Sequence, residues 1–340
     1  MKKLLILFLF LPQLLIAQDT IPFRIAFFNV ENLFDVCDDP LKDDNEFLPT
    51  SHRRWHYGRY KKKLADVARV ITAVGEWEPP ALVGLCEIEN DTVMRDLTFY
   101  SPLKEHTYRY VMTNSPDPRG IDVALLYQRD KFKLLSKQSI PVKFKETKKV
   151  SRDILHVSGL IITKDTIDVF VVHFPSRSGG EKETENYRVQ ASLCLKNSVD
   201  SLMSVRVSPR IIIMGDFNDY PSNRSISEVL IGKTANQSYD RKQLYHLLAS
   251  KSKKKNWGSY RYKGNWGLLD HIIVSGGLLD NQSCFYTDED KANVSFLPFM
   301  LIEDEKYGGL SPFRTYSGMR YQGGFSDHLP VYADFLLIHK

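Results

Sequence analysis

Short apolar runs recur along most of the chain, and several of them end on a polar or charged side chain. Residues 23–30, 81–86, 108–113, 121–127, 154–162, 167–173, 210–214, 259–262, 269–274 and 331–337 are rich enough in β-branched and aromatic residues to predict strands. Between some of them the period changes from two to about 3.6. Tyr60, Leu64, Val67, Ala68, Ile71 and Val74 share one face of a helix expected over about 57–75, with Lys61, Lys62 and Arg69 elsewhere on it. Tyr187, Ala191, Cys194, Leu195, Val199 and Leu202 predict a second helix over about 185–203. Hairpins mixed with crossover helices predict α/β layers rather than a pure doubly wound sheet. The stretch from about 287 to 325, rich in Gly, Pro and aromatics, predicts a long irregular segment, and such segments usually carry function.

The N-terminus stands apart. Lys2 and Lys3 precede an apolar run from Leu4 to Ile16, and Ala17 is small enough for cleavage, which predicts a secretory signal over residues 1–17. Residues 18–340 then form a single domain, with no Pro/Gly/Ser linker to split it and no repeat. No later stretch approaches the roughly 20 apolar residues of a membrane helix, so an exported chain without membrane insertion is expected. Its net charge of +5 falls to about +3 without Lys2 and Lys3, too mild to require nucleic acid as a partner. Cys37, Cys86, Cys194 and Cys284 lack C-x-x-C spacing. Export permits disulfides, but Cys86 ends an apolar strand and Cys194 sits in an apolar helix pattern, so buried free thiols are expected. No feature predicts a protein partner, and a monomer is expected.

Chemistry concentrates at the ends of predicted strands. The run Arg210–Met214 delivers Gly215-Asp216-Phe217-Asn218, an acidic residue and an amide at a strand's C-terminal lip, where open α/β sheets place their sites. Ser326-Asp327-His328 adds an oxygen ligand beside a titratable imidazole. Asn29 and Glu31 follow the first strand, Glu87 and Glu89 end the second, and His173 ends another. Any one of these acids alone suits a cap or an ion pair. Carboxylates converging from several buried strand ends are costly unless a cation joins them. Oxygen ligands suit Mg²⁺, Mn²⁺ or Ca²⁺ rather than zinc. Asp270 is the natural acceptor to orient His328, and His271 is expected on the opposite face of its strand.

The ordered set Asn29, Glu87, His173, Gly215-Asp216-Phe217-Asn218, Asp270 and Ser326-Asp327-His328 resembles the endonuclease/exonuclease/phosphatase superfamily over essentially the whole mature chain. The resemblance implies a four-layer α/β sandwich, two central mixed sheets flanked by helices. It implies a divalent metal, usually Mg²⁺, on Glu87, with Asn29 and Asp327 near it and Glu31 where abasic-site endonucleases carry an acidic metal-site residue. It implies that Asp216 aligns or deprotonates the attacking water and that Asn218 holds the scissile phosphate. His328, oriented by Asp270, then acts as base or phosphate-stabilising group. His173 matches the second histidine of the DNase-like branch, and Asp122 falls about where that histidine's acidic partner stands. Gly120 replaces the tyrosine that abasic-site enzymes carry just before this strand, which disfavours abasic-site repair.

Three segments are expected to meet an anionic substrate. The Ser176-Arg177-Ser178-Gly179-Gly180 loop follows His173 and is joined by Arg188 on the next helix, with Arg177 as a bidentate clamp. Lys251–Lys255 leads into Tyr260, Arg261, Tyr262 and Trp266, a mixture of charge and stacking surface. Arg314, Tyr316, Arg320 and Tyr321 form the third. Arg53-Arg54 and Lys61-Lys62-Lys63 read as a solvated face, and residues 296–301 as a packed loop. The whole predicts an exported, Mg²⁺-dependent phosphodiesterase, foremost a nuclease on DNA or RNA. A phosphatase or phospholipid phosphodiesterase of inositol phosphate or sphingomyelin type is the enzyme alternative. A non-catalytic nucleic-acid-binding protein on the same fold is the other.

Overall fold

The computed structural model describes residues 20–145, 147, 149–231 and 239–338; the expected signal segment lies outside them. In chain order the strands of the two main sheets are β1 (Thr20–Leu33), β2 (Leu82–Ile88), β3 (Arg109–Met112), β4 (Asp122–Tyr127), β5 (Phe132–Ile140), β6 (Ile154–Ile161), β7 (Thr166–His173), β8 (Ile211–Asp216), β9 (Leu244–His246), β10 (Asp270–Ser275), β11 (Phe285–Tyr286), β12 (Ala292–Val294) and β13 (Val331–Ile338). A seven-stranded sheet runs β11-β13-β1-β2-β4-β3, with β12 also paired to β13, and a six-stranded sheet runs β5-β6-β7-β8-β10-β9. Helices α1 (Tyr57–Gly75) and α2 (Asp91–Phe99) belong to the first half and α3 (Glu181–Val205) to the second.

Each sheet holds one parallel pair, β1–β2 and β7–β8. A parallel pair needs a long crossover, and α1 and α3 supply the two. Side-chain parity then assigns the layers. In β8, Ile211 and Ile213 pack with Ala191, Leu195, Val199 and Met203 of α3. Ile212 and Met214 turn the other way, into the core between the sheets with Val169, Val171, Ile272 and Val274. Leu64, Val67, Ile71 and Val74 of α1 cover the first sheet. The result is the expected helix–sheet–sheet–helix sandwich.

Two glycines mark close approaches that no side chain fits. A Cβ on Gly84 of β2 would lie 2.6 Å from Met214 Sδ in the facing sheet, and one on Gly215 would lie 2.3 Å from Val172 on the neighbouring strand. The glycine of Gly215-Asp216 is therefore a packing requirement of the strand pair that delivers Asp216.

The structure departs from the sequence pattern in a few places. β5 is an edge strand in which residues 135–139 are all exposed, so it carries no apolar run to read. α2 is short; Asn90 caps it, its side chain accepting from Val93 N at 2.9 Å, and Val93, Met94 and Leu97 form its buried face. Residues 259–262 contribute to a small hairpin, Tyr260–Tyr262 with Asn265–Gly267, outside both main sheets. The 287–325 segment breaks into short strands and single helical turns. All four cysteines are free, yet only Cys86 is buried; Cys37 is exposed and Cys194 half-buried on the rim of α3. Among the described residues no helix is long and apolar enough to cross a membrane.

Gly84→Val forces the Met214 contact apart. Overpacking of this kind costs about 1–3 kcal/mol, so the midpoint of urea unfolding should fall, and an unchanged midpoint would show that the sheets can separate freely there.

Candidate active site

The parity that packs the core also assembles the site. His173, Asp216 and Asp270 continue the inward-facing rows Val169-Val171, Ile212-Met214 and Ile272-Val274, and they are register partners across β7, β8 and β10. Three chemically active side chains thus stand side by side at the mouth between the sheets. Asn29, Glu31 and Glu87 reach the same mouth from the ends of β1 and β2, where the register slips between Asn29 and Leu33 and between Cys86 and Ile88. Bulges re-aim side chains. Glu31, Asn32, Glu87 and Asn218 all hold left-handed backbone (φ 53°, 56°, 63° and 51°), a strain that is unusual for glutamate and concentrated here.

Asn29, Glu31, Glu87, His173, Asp216, Asn218, Asp327 and His328 line one cleft of about 820 Å³. Asp216 accepts from Asn29 Nδ2 (3.1 Å) and Asn218 N (2.8 Å). Its Oδ2 lies 3.7 Å from His173 Nε2 and 3.9 Å from His328 Nε2. His328 Nδ1 is 2.7 Å from Asp270 Oδ2, which turns Nε2 to the cleft. The backbone N–H of His328 donates to Ser326 Oγ (3.0 Å), and that hydroxyl donates to the Asn29 carbonyl (2.7 Å), tying the Ser-Asp-His turn to β1. Glu87 accepts from Asn32 N at 2.9 Å and faces His173 Nε2 at 3.9 Å. Glu31 accepts from Thr315 N at 2.7 Å.

Burial sets the electrostatics. It raises Asp216, with the His328 charge opposing and Asp270 adding to the rise. It pushes Glu31 up to about 7, aided by Asp327 and opposed by Lys63 and Arg314. Burial alone would depress His328, but the charge and hydrogen bond of Asp270, with Asp216 and Asp327 behind it, hold the imidazole well above its usual range. His173 goes the other way, lowered by burial and then by Arg152 and Arg119, and its Nδ1 has no partner among the described residues.

Several expected roles need correction. Asp122 does not pair with His173: its carboxylate accepts from Thr113 Oγ1 (2.5 Å) and Ser115 N (3.0 Å), because its strand position points it at the turn leaving β3. Arg188 is fully buried and pairs with Asp219 (2.7 Å), so it braces the loop after Asn218 and does not meet the cleft. Arg177 does line the cleft, yet its guanidinium already contacts the Asn218 carbonyl (2.6 Å), Asn223 and Glu181 and lies over Tyr220. Tyr316 lines the cleft with its hydroxyl on the Arg53 carbonyl (3.1 Å). The lysine turn separates from its aromatics: Tyr260 and Tyr262 line the cleft, while Lys251 caps the carbonyls of Glu289 and Ala292. Arg261 pairs with Asp304.

Lys63 is the clearest miss. It falls on the buried face of α1, three residues after Tyr60, and its Nζ donates to Thr315 Oγ1 (2.5 Å) and the Phe325 carbonyl (2.6 Å). The helical period that placed Tyr60 and Val67 inside pointed to it. Arg53, expected on a solvated face, lines the cleft instead, and Arg119 and Tyr220 join it from loops with no signal of their own.

Among the described residues the tightest groups of possible ligands are Cys86–His173–Asp216 and Asp216–Asp270–His328, each with donor atoms within 4.8 Å of one another. In the second, His328 is hydrogen-bonded to Asp270 and Asp216 stands 3.9 Å from its Nε2. Glu31, Glu87 and Asp327 share the cleft more loosely. That suits Mg²⁺, which keeps several waters and takes one or two carboxylates rather than an all-protein cage. Their oxygen donors fit a hard divalent ion.

A sandwich of this order, with such a mouth, defines a phosphoester-hydrolase fold. The chain belongs to the Endonuclease/Exonuclease/phosphatase family, whose profile matches residues 24–336, and it is a phosphoester hydrolase of that metal-dependent class. A search among curated proteins finds no match. Among solved structures, an endonuclease/exonuclease/phosphatase family protein from Bacteroides thetaiotaomicron is 14% identical, with a TM-score of 0.58 over 94% of this chain and 97% of that one. A mannosyl-6-phosphatase from the same organism is 15% identical (TM-score 0.57, 92% and 99% covered). D. rerio TDP2 complexed with single strand DNA product is 16% identical (0.55, 92% and 98%). At these identities the likeness is one of fold.

Asp270→Asn should lower the His328 titration midpoint, read by NMR, because the charge that raises it is gone. Phosphoester hydrolysis should drop about 10²–10⁴-fold. An unmoved midpoint would make Asp270 a packing residue.

Proposed function

We propose that this chain is an exported, Mg²⁺-dependent nuclease that hydrolyses phosphodiester bonds in DNA or RNA. The observation that carries the reading is the lining of the cleft, which holds four arginines, Arg53, Arg119, Arg177 and Arg314, together with four tyrosines, Tyr220, Tyr260, Tyr262 and Tyr316. A nucleic-acid strand offers both things such walls bind, a chain of anions and a series of flat faces. The Lys2-Lys3 and apolar leader supports export.

Glu87 and Asp327, with Glu31 and Asn29 beside them, would hold the metal, which when bound neutralises a non-bridging oxygen and the leaving alkoxide. Asp216 aligns the attacking water and accepts its proton; its bonds from Asn29 and Asn218 fix the plane of the carboxylate. Asn218 Nδ2 spends one N–H on the Phe174 carbonyl (3.1 Å) and keeps the other for the phosphate. His328, charged and oriented by Asp270, aims Nε2 at developing negative charge. His173, kept neutral, adds a hydrogen bond without repelling a cation.

Mature protein should nick plasmid DNA or degrade RNA with Mg²⁺ and stop with EDTA. His328→Ala should lose about 10²–10³-fold in rate. The same assay includes bis(p-nitrophenyl) phosphate, mannose 6-phosphate, inositol phosphates and sphingomyelin. Release of inorganic phosphate or phosphocholine with nucleic acids intact would sink the nuclease reading and leave the chemistry standing. Export is checked by fractionating an expressing bacterium and sequencing the mature N-terminus.

A further inference from the structure

The guanidinium of Arg314 stands between two carboxylates of the mouth. Its Nε is 3.4 Å from Glu31 Oε1 and its Nη2 is 2.7 Å from Asp327 Oδ2. We propose that Arg314 is an exchangeable counter-ion: it neutralises the Glu31–Asp327 pair until a divalent cation binds, then turns to the substrate phosphate, so that metal and phosphate binding are coupled through it. This rests on the metal-dependent reading given above.

The surroundings separate a fixed backbone from a free side chain. Thr315 N is bonded to Glu31 Oε2, and Lys63 from α1 grips both Thr315 Oγ1 and the Phe325 carbonyl. The main chain beside Arg314 is thus pinned to β1 and α1. The Arg314 side chain is 45% exposed and lines the cleft. Lys63, the other cation near Glu31, is buried and bonded, so it cannot exchange. Glu31 is nearly as buried, with its second oxygen on Thr315, and cannot follow a departing partner. A divalent ion drawn to these carboxylates meets a positive guanidinium at contact distance. Like charges this close repel strongly in a partly desolvated cleft, so one leaves. Once released, the planar fork matches a phosphate bidentately.

Coupling of this kind is reciprocal, and two titrations read it. Calorimetry with Mn²⁺ alone, on the mature wild type, Arg314→Gln and Arg314→Lys, reads the competition. Arg314→Gln should bind Mn²⁺ about tenfold more tightly, and Arg314→Lys, which keeps the charge, should stay near wild type. Titration with inorganic phosphate, with and without Mn²⁺, reads the coupling. Mn²⁺ should strengthen phosphate binding about tenfold in wild type and little in Arg314→Gln. Mn²⁺ affinity unchanged or weaker in Arg314→Gln, with wild-type thermal stability, would overturn the proposal and make Arg314 an organiser of the ligands. Should that variant not fold, wild-type phosphate affinity indifferent to Mn²⁺ overturns it equally. Absence of Mn²⁺ binding by the wild type would instead remove the metal reading itself.

Discussion

The constraint on which this structure turns is the burial of Asp216. A carboxylate at the end of a fully buried strand is expensive to ionise, and nearly everything around it answers that cost. Asn29 and the Asn218 amide donate to its two oxygens, and two imidazoles stand within 4 Å of it. Those donors come from β1, β7, the loop after β8 and the turn before β13. Holding Asp216 therefore joins the two sheets at their mouth as well as preparing a reaction. The same electrostatics divides the histidines: His328, backed by Asp270, is kept charged, and His173, beside Arg152 and Arg119, is kept neutral.

Topology makes this assembly almost obligatory. Two βαβ units, β1-α1-β2 and β7-α3-β8, face one another across the central core, and the C-terminal ends of all four parallel strands open on the same side. Once parity commits Ile212 and Met214 to the inter-sheet core, Asp216 has no other direction to point. Its register partners His173 and Asp270 follow by the same rule. A site at the carboxyl ends of parallel strands is the general behaviour of open α/β sheets; here two such ends meet.

Legibility in the sequence followed the same physics. Strands buried on both faces announced themselves as continuous apolar runs, so the residues at their ends could be picked out in advance, and the Asp270–His328 pair could be proposed from strand position. What depends on which neighbour a side chain meets could not. Asp122 and Arg188 have plausible types and positions near the site, yet one points at a turn and the other into the helix–sheet interface. Lys63 was hidden by its neighbours, a run of three lysines in which only the period of α1 distinguishes the one that goes inside. The edge strand β5, exposed on both faces over residues 135–139, had no apolar run to betray it.

The division between legible and illegible parts also separates chemistry from choice of substrate. The groups that would act on a phosphoester sit on strand ends whose positions the core dictates. The cleft walls, with Arg53, Arg177, Tyr260, Arg314 and Tyr316, come from connections and small hairpins that the core does not dictate. Loops held by a rigid scaffold are where binding varies. The 313–326 segment shows how such a wall can still be coupled to the centre: Lys63 anchors it from beneath, Ser326 bonds to β1, and Thr315 bonds to Glu31. A substrate that presses on this wall therefore acts on the same backbone that carries Asp327 and His328. Recognition and catalysis share one strip of chain, so substitutions there should alter turnover together with binding, whereas the Arg177 wall follows His173 in the chain and is braced separately, on the Asn218 carbonyl and Asp219.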